Sequence, residues 1–210
     1  MRSALTPAQQ RVLAQVRAEL RRLARYDDES VVHDAWIRQR YDTGGYPTYA
    51  PARTAAVRTA WHEAGHAVAA LTVGARFSSA SIRRSAGRHG AGQHGRGTEG
   101  RVRGVAGGGE LGFVIDAGGQ IAERLMNWTM LERDDALAAW LPTWKRDGGD
   151  AAGFRRAIGP RFGRDEVAAW RYGESLLTPR RLAIRQLARA LLVHPSYLPY
   201  PVVAELVGDP

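Results

Sequence analysis

The stretch that decides the fold is TAAVRTAWHEAGHAVAALTVG (Thr54–Gly74), which is rich in alanine and contains no proline. Apolar side chains recur along it at spacings of three and four residues, namely Val57, Trp61, Ala64, Val68 and Leu71. This spacing predicts a helix, and the glycine at the end of the stretch suits a helix C-terminus.

Two histidines interrupt the alanines of this predicted helix. His62 and His66 are four residues apart, so they lie on one face of a helix, one above the other, and can share one metal ion. Glu63 follows the first histidine, where its carboxylate can reach a water on the metal rather than the metal itself. This H-E-x-x-H arrangement is typical of zinc peptidases, with both histidines as ligands and the glutamate as general base. The sequence therefore predicts a Zn²⁺ site at His62 and His66, with Glu63 as its catalytic residue.

The composition limits which residue types can bind a metal and which kinds of partner we expect. The formal net charge of +9 is typical of nucleic-acid binders. The basic residues are nearly all arginine, however, with Lys145 the only lysine, and they are scattered along the chain. We therefore do not expect nucleic acid as a partner. The absence of cysteine leaves histidine, aspartate and glutamate as the available metal ligands.

No signal in the sequence points to a membrane. The chain has no run of about 18 apolar residues, and its first residues, MRSALTPAQQRVLAQV, are too polar for a signal peptide. We expect a cytoplasmic protein without a membrane partner.

The remaining pattern predicts a mainly α protein with one small β-hairpin, an α+β fold. Thr6–Gln9 reads as a capping box that opens a helix reaching about Arg25. A linker rich in glycine, proline and tyrosine follows at Tyr41–Arg53. Strands are predicted at Ala75–Arg84 and from Arg101 to Gly107, around a glycine-rich loop (Ser85–Gly100) whose His89 and His94 we expect to be exposed. Further helices are predicted at Glu110–Trp140, Ala151–Ile158, Thr178–His194 and Val202–Gly208.

These elements divide into three segments. Residues 1–50 form a helical arm with the linker, residues 51–194 form the metal-binding domain, and residues 195–210 form a proline-rich tail with a short helix.

The combination of HEAGHAVAAL, a small hairpin and AGGQIAERL (residues 117–125) resembles the peptidase domain of the FtsH-type zinc proteases, over roughly Ala56–His194. The resemblance implies a zincin-like, FtsH-peptidase-like helical domain that acts on peptides or unfolded proteins. Arg124 stands where the family has a second acidic residue. No G-x-x-x-x-G-K-[ST] phosphate-binding loop is present, so we expect a stand-alone, ATP-independent zinc endopeptidase. A separate unfoldase or adaptor is a candidate partner.

The resemblance also implies a third metal ligand, an aspartate that opens a later helix. Asp150 follows two glycines at the start of a predicted helix and is the first candidate, although an N-cap role would suit it equally well. Asp134, Asp135 and Asp147 are the alternatives. Glu123 is expected to support the site rather than to bind the metal.

Zinc held in this way activates a water molecule for attack on a peptide carbonyl, with Glu63 accepting the proton. The strand at Ser81–Arg84 can hold an extended peptide by edge pairing. Two other functions are open. One is a regulatory peptidase of the ImmA/IrrE type; the other is a non-catalytic, basic, metal-stabilised protein that binds nucleic acid or a protein partner and would not need Glu63.

Overall fold

The computed structural model describes residues 4–24, 50–85, 97–127, 134–147, 149–194 and 197–208. This part of the chain is mainly helical with a small antiparallel sheet, as the sequence predicts. The helices are α1 (Pro7–Leu23), α2 (Ala50–Thr72), α3 (Gly112–Asn127), α4 (Asp134–Trp140), α5 (Gly149–Ala157), α6 (Gly159–Phe162), α7 (Glu166–Leu177), α8 (Arg181–Val193) and α9 (Tyr200–Val207). The strands are β1 (Ser79–Ser85), β2 (Gly97–Arg103) and β3 (Leu198–Pro199), and 3₁₀ turns lie at Gly109–Leu111, Leu141–Asp147 and Thr178–Arg180.

Helix α2 lies at the centre of the core and carries the two histidines. It packs against α3 and α8, and its alanines from Ala56 to Ala70 are buried. The closest approach is between Gly65 and Gly118, where a Cβ on Gly65 would stand 2.2 Å from the carbonyl oxygen of Gly118. Only glycine allows two helix backbones to come this near. His62 and His66 therefore lie directly beside α3.

The predicted capping box is confirmed at the start of α1. The Thr6 hydroxyl accepts the N–H of Gln9, and the Gln9 side chain accepts the N–H of Thr6 at 2.9 Å. Helix α1 ends at Leu23, close to the predicted end, and packs against α8 and α9.

The sheet extends the predicted hairpin by one strand. Its order is β2-β1-β3, with β1 in the middle and both pairings antiparallel. The predicted end of the loop at Gly100 is wrong, because Gly97–Gly100 belong to β2. Strand β2 also ends at Arg103, four residues before the predicted end at Gly107. Ser85 belongs to β1, and residues 86–96 of that loop, with His89 and His94, lie outside the described residues. Strand β3 pairs with only Ser79 and Ala80, too short a run to leave a period-two signal in the sequence.

The second half of the chain contains more helices than the sequence predicts. Within the helix predicted at Glu110–Trp140, Glu110 and Leu111 belong to a 3₁₀ turn, Gly112–Asn127 and Asp134–Trp140 are α-helical, and residues 128–133 are not described. Helices α6 and α7 were not predicted. The Phe154 ring of α5 contacts the rings of Phe113, Trp144 and Trp170, and this aromatic core holds α5 against α3 and α7.

Helices α1 and α9 pack against the same core as α2. Helix α9, in the predicted tail, buries Val202, Val203 and Leu206 and contacts α1 and α8.

In the predicted linker, residues 41–49 lie outside the described residues, and residues 50–53 form the first turn of α2. None of the helices described combines the length and the hydropathy that crossing a bilayer requires.

Candidate metal centre

Three side chains from two helices converge on one point. His62 and His66 project from α2, and Asp150 projects from the first turn of α5. The two Nε2 atoms are 2.9 Å apart, and each lies 3.2 Å from Oδ2 of Asp150. In the described part of the chain, these residues form the only group of three side chains spaced to hold a metal ion.

The other nitrogen of each imidazole is held by a hydrogen-bond acceptor. His62 Nδ1 lies 2.8 Å from Oε1 of Glu123, and His66 Nδ1 lies 2.7 Å from the carbonyl oxygen of Ile115. A carboxylate and a carbonyl only accept, so both Nδ1 atoms carry the proton and a neutral ring presents a lone pair at Nε2. Three acceptor atoms then face one another, and only a cation or a proton between them makes this arrangement favourable.

The electrostatics of the cluster point to the same requirement for positive charge. Burial by itself would lower the pKa of His62, but hydrogen bonds to Asp150 and Glu123 and the nearby negative charges raise it to about 10. Burial would raise the pKa of Asp150, and hydrogen bonds to both histidines instead hold that pKa well below its usual range. Without metal, the cluster therefore binds a proton tightly in the place a cation would occupy.

Helix α3 forms the wall behind the two imidazoles. A Cβ on Gly119 would stand 2.6 Å from ring atoms of both His62 and His66, so the rings lie directly on the backbone of α3. Glu123, one turn further along the same face, holds His62 and also pairs with the exposed guanidinium of Arg58. Glu123 thus contacts the far nitrogen of His62, one of the two predicted histidine ligands.

Glu63 lies beside the cluster and beneath β2. Its side chain is buried, and a Cβ on Gly100 would stand 2.2 Å from its Cγ. The backbone N–H of Val102 donates a hydrogen bond to its carboxylate. Burial raises the pKa of Glu63 above its ordinary value, although the two histidines oppose the shift. A carboxylate with a raised pKa is better matched to accepting and releasing a proton near neutral pH.

A pocket of about 350 Å³ lies against the cluster and contains a residue that sequence reasoning missed. Its lining includes the cluster and Glu63, together with Gly100, Arg101, Val102, Val105, Ile115 and Asp116. Burial raises the pKa of Asp116 to about 6, with Asp150 adding to the shift and His66 opposing it. The available signal was spacing, because Asp116, Gly119 and Glu123 at i, i+3 and i+7 share one face of α3.

Asp134 and Asp135, two of the alternative third ligands, are not part of the cluster. Asp134 is exposed and pairs with Arg171 at 2.9 Å, and Asp135 is exposed on α4. The side chain of Asp147 lies outside the described part of the structure. That Ser81–Arg84 holds an extended peptide by edge pairing stays a prediction; β1 pairs with β2 along its length, and residues of β2 line the pocket.

The donor set determines which chemistry the cluster suits. Two imidazole nitrogens and one carboxylate oxygen, without thiolates, match the ligands of zinc centres that leave a position open for water or substrate. The distances of 2.9–3.2 Å between donor atoms approach the tetrahedron edge of about 3.3 Å expected for zinc bonds near 2.05 Å.

Protein-family models, curated proteins and solved structures, compared with the chain, gave no match.

Proposed function

We propose that the chain is a zinc-dependent peptidase of the FtsH-like zincin type, in which Glu63 is the general base. The observation that carries the proposal is the convergence of two imidazole nitrogens and one carboxylate oxygen within 2.9–3.2 Å of one another, beside a buried glutamate. His62, His66 and Asp150 would hold the zinc. Glu123 and the Ile115 carbonyl fix the two imidazoles, which is the usual outer-shell support of a zinc-binding histidine.

When bound, zinc would act as a Lewis acid that lowers the pKa of a water molecule and polarises a carbonyl group. Glu63 would accept a proton from the attacking water and later pass it to the leaving amine. The backbone N–H of Val102 donates a hydrogen bond to this carboxylate and would help to orient it. Burial helps in the first step, because a carboxylate with a raised pKa is a stronger base and accepts a proton more readily.

The shape of the site favours an extended substrate. The pocket is only about 350 Å³ and lies between β2 and the helices α2, α3 and α5. A segment of unfolded chain can place a scissile bond beside Glu63, whereas a folded surface cannot enter such a space. Peptides and unfolded proteins are therefore the proposed substrates.

One observation favours a second candidate, a non-catalytic protein whose fold the metal stabilises. Glu63 is only 7% exposed and lies under Gly100, where access for water is restricted. In such a protein, Glu63 would be a buried hydrogen-bond acceptor for β2 and would have no part in chemistry.

The isosteric substitution Glu63→Gln separates the two candidates. We expect it to keep one zinc per chain, measured by mass spectrometry, and to reduce cleavage of fluorescein-labelled casein by at least about a hundredfold. Glu110→Gln, which makes the same change at an exposed position, is the matched control and should cleave as the parent does. Equal cleavage by Glu63→Gln would disprove the base role, and a zinc-loaded parent that leaves casein intact would favour the non-catalytic protein.

A further inference from the structure

The pocket beside the metal centre contains one carboxylate with no assigned partner. Glu63 accepts the Val102 N–H, and Asp150 contacts both histidines. Asp116 is half-buried and lines the same pocket, yet among the described residues no group donates a hydrogen bond to it. Removing a carboxylate from water without a partner is unfavourable, so a cation that enters the pocket gains from meeting it.

The position of Asp116 is fixed by packing against α5. A Cβ on Gly153 would stand 2.6–2.9 Å from all three carboxylate atoms of Asp116, so the group rests directly on the α5 backbone. Gly153 lies on the helix that also carries Asp150. The same helix contact therefore holds Asp116 at the edge of the metal centre.

The described cations near Asp116 do not neutralise it through contact. Arg156 is exposed on α5 and acts on Asp116 only through space, as the weakest of the influences on its pKa. Arg101 lines the pocket from β2, and no salt bridge joins these two arginines to Asp116. A second metal ion would need further ligands, and the described residues provide only the one metal-capable group.

The apolar side chains beside Asp116 suit a long basic side chain. Ile115 and Val105 both line the pocket, and Val105 is 42% exposed, which leaves apolar surface available to a ligand. Lysine and arginine lay their methylene stems on such surfaces and place the charged end against a carboxylate.

We infer that Asp116 is a specificity-determining residue that selects peptides carrying a cationic group, a lysine or arginine side chain or a free N-terminal amine, next to the scissile bond. This inference rests on the proposed peptidase function. A peptide bound over Glu63 and the metal centre would place its basic group on Asp116. The preference is electrostatic, so it should weaken as salt concentration rises.

Peptide binding tests the inference without turnover. The zinc-loaded Glu63→Gln protein is titrated with alanine heptapeptides labelled at the C-terminus, each carrying lysine or the uncharged norleucine at successive positions. Fluorescence anisotropy gives the ratio of the two affinities. We expect lysine to bind roughly tenfold more tightly at one position, as a charge-assisted hydrogen bond provides, and Asp116→Asn in the same background to bring the ratio to within about twofold.

A matched charge variant and peptides with blocked or free N-termini serve as controls. Asp135→Asn removes the same charge from an exposed position on α4 and should keep the tenfold ratio (roughly 1.4 kcal/mol). Peptides with acetylated or free N-termini identify the source of the cation: a preference that survives acetylation assigns a side chain, and one that requires the free amine assigns the N-terminus. A ratio near one in Glu63→Gln, or an unchanged ratio in Asp116→Asn, overturns the inference.

Casein cleavage by the zinc-loaded parent separates the two possible failures. If the parent cleaves casein but lysine and norleucine peptides bind alike, the role of Asp116 is wrong and the peptidase function stands. If casein stays intact and neither peptide binds, both the function and the inference fail.

Discussion

Replacing Gly119 with alanine should disrupt the proposed metal centre without substituting any of its ligands. The new Cβ would stand 2.6 Å from ring atoms of His62 and His66, whereas ordinary contact begins at 3.4 Å, so 3.4 − 2.6 gives a required displacement of about 0.8 Å. Both rings are held at their far nitrogens by hydrogen bonds of 2.8 and 2.7 Å, which limits how they can move. Metal–ligand bonds tolerate changes of only about 0.2 Å.

We therefore expect Gly119→Ala to weaken zinc affinity by at least about tenfold, within the range found when the support of a ligand is lost. The assay is a zinc titration in competition with a chromophoric chelator, with circular dichroism to verify folding. Gly112→Ala is the matched control, because Gly112 belongs to the same helix, has φ −54°, and a Cβ added to it would meet no atom within 4 Å. If folded Gly119→Ala bound zinc as tightly as Gly112→Ala, the reasoning about the rings would be refuted.

Three further perturbations test the site. Asp150→Ala should weaken zinc binding at least about tenfold, whereas Asp134→Ala, at an exposed position, should leave it unchanged; equal titrations would remove Asp150 from the ligand set. Gly100→Ala would place a Cβ 2.2 Å from Cγ of Glu63, so it should retain zinc but lower the rate of casein cleavage at least about tenfold; an unchanged rate would disprove this contact. The pKa of His62 is about 10, so at lower pH zinc must displace a proton from this residue. Zinc affinity should therefore rise about tenfold per pH unit from about pH 6.5 to 8.5. A plateau above pH 7 in the same titration would indicate a histidine with an ordinary pKa.

Local patterns of the sequence account for the elements on which the site is built. The spacing of His62 and His66 places them on one face because helix geometry relates residues four apart, whatever the rest of the chain does. The capping box at Thr6 and Gln9 is likewise decided by neighbouring residues. Strand β3 lacked such a signal, since two residues acquire strand character only by pairing with β1.

The sequence by itself determined the helix, the pair of imidazoles on its face and the glutamate beside them, because each depends on contacts within one or two turns. Only the tertiary structure decided that Asp150, rather than Asp134, meets both histidines, since that choice depends on how α5 packs against α3. It also decided that Asp116 lines the pocket with them. The physical reason is that residues distant in the chain are brought together by core packing and by close helix contacts at glycine, and the sequence pattern of one element does not reveal the surface of another.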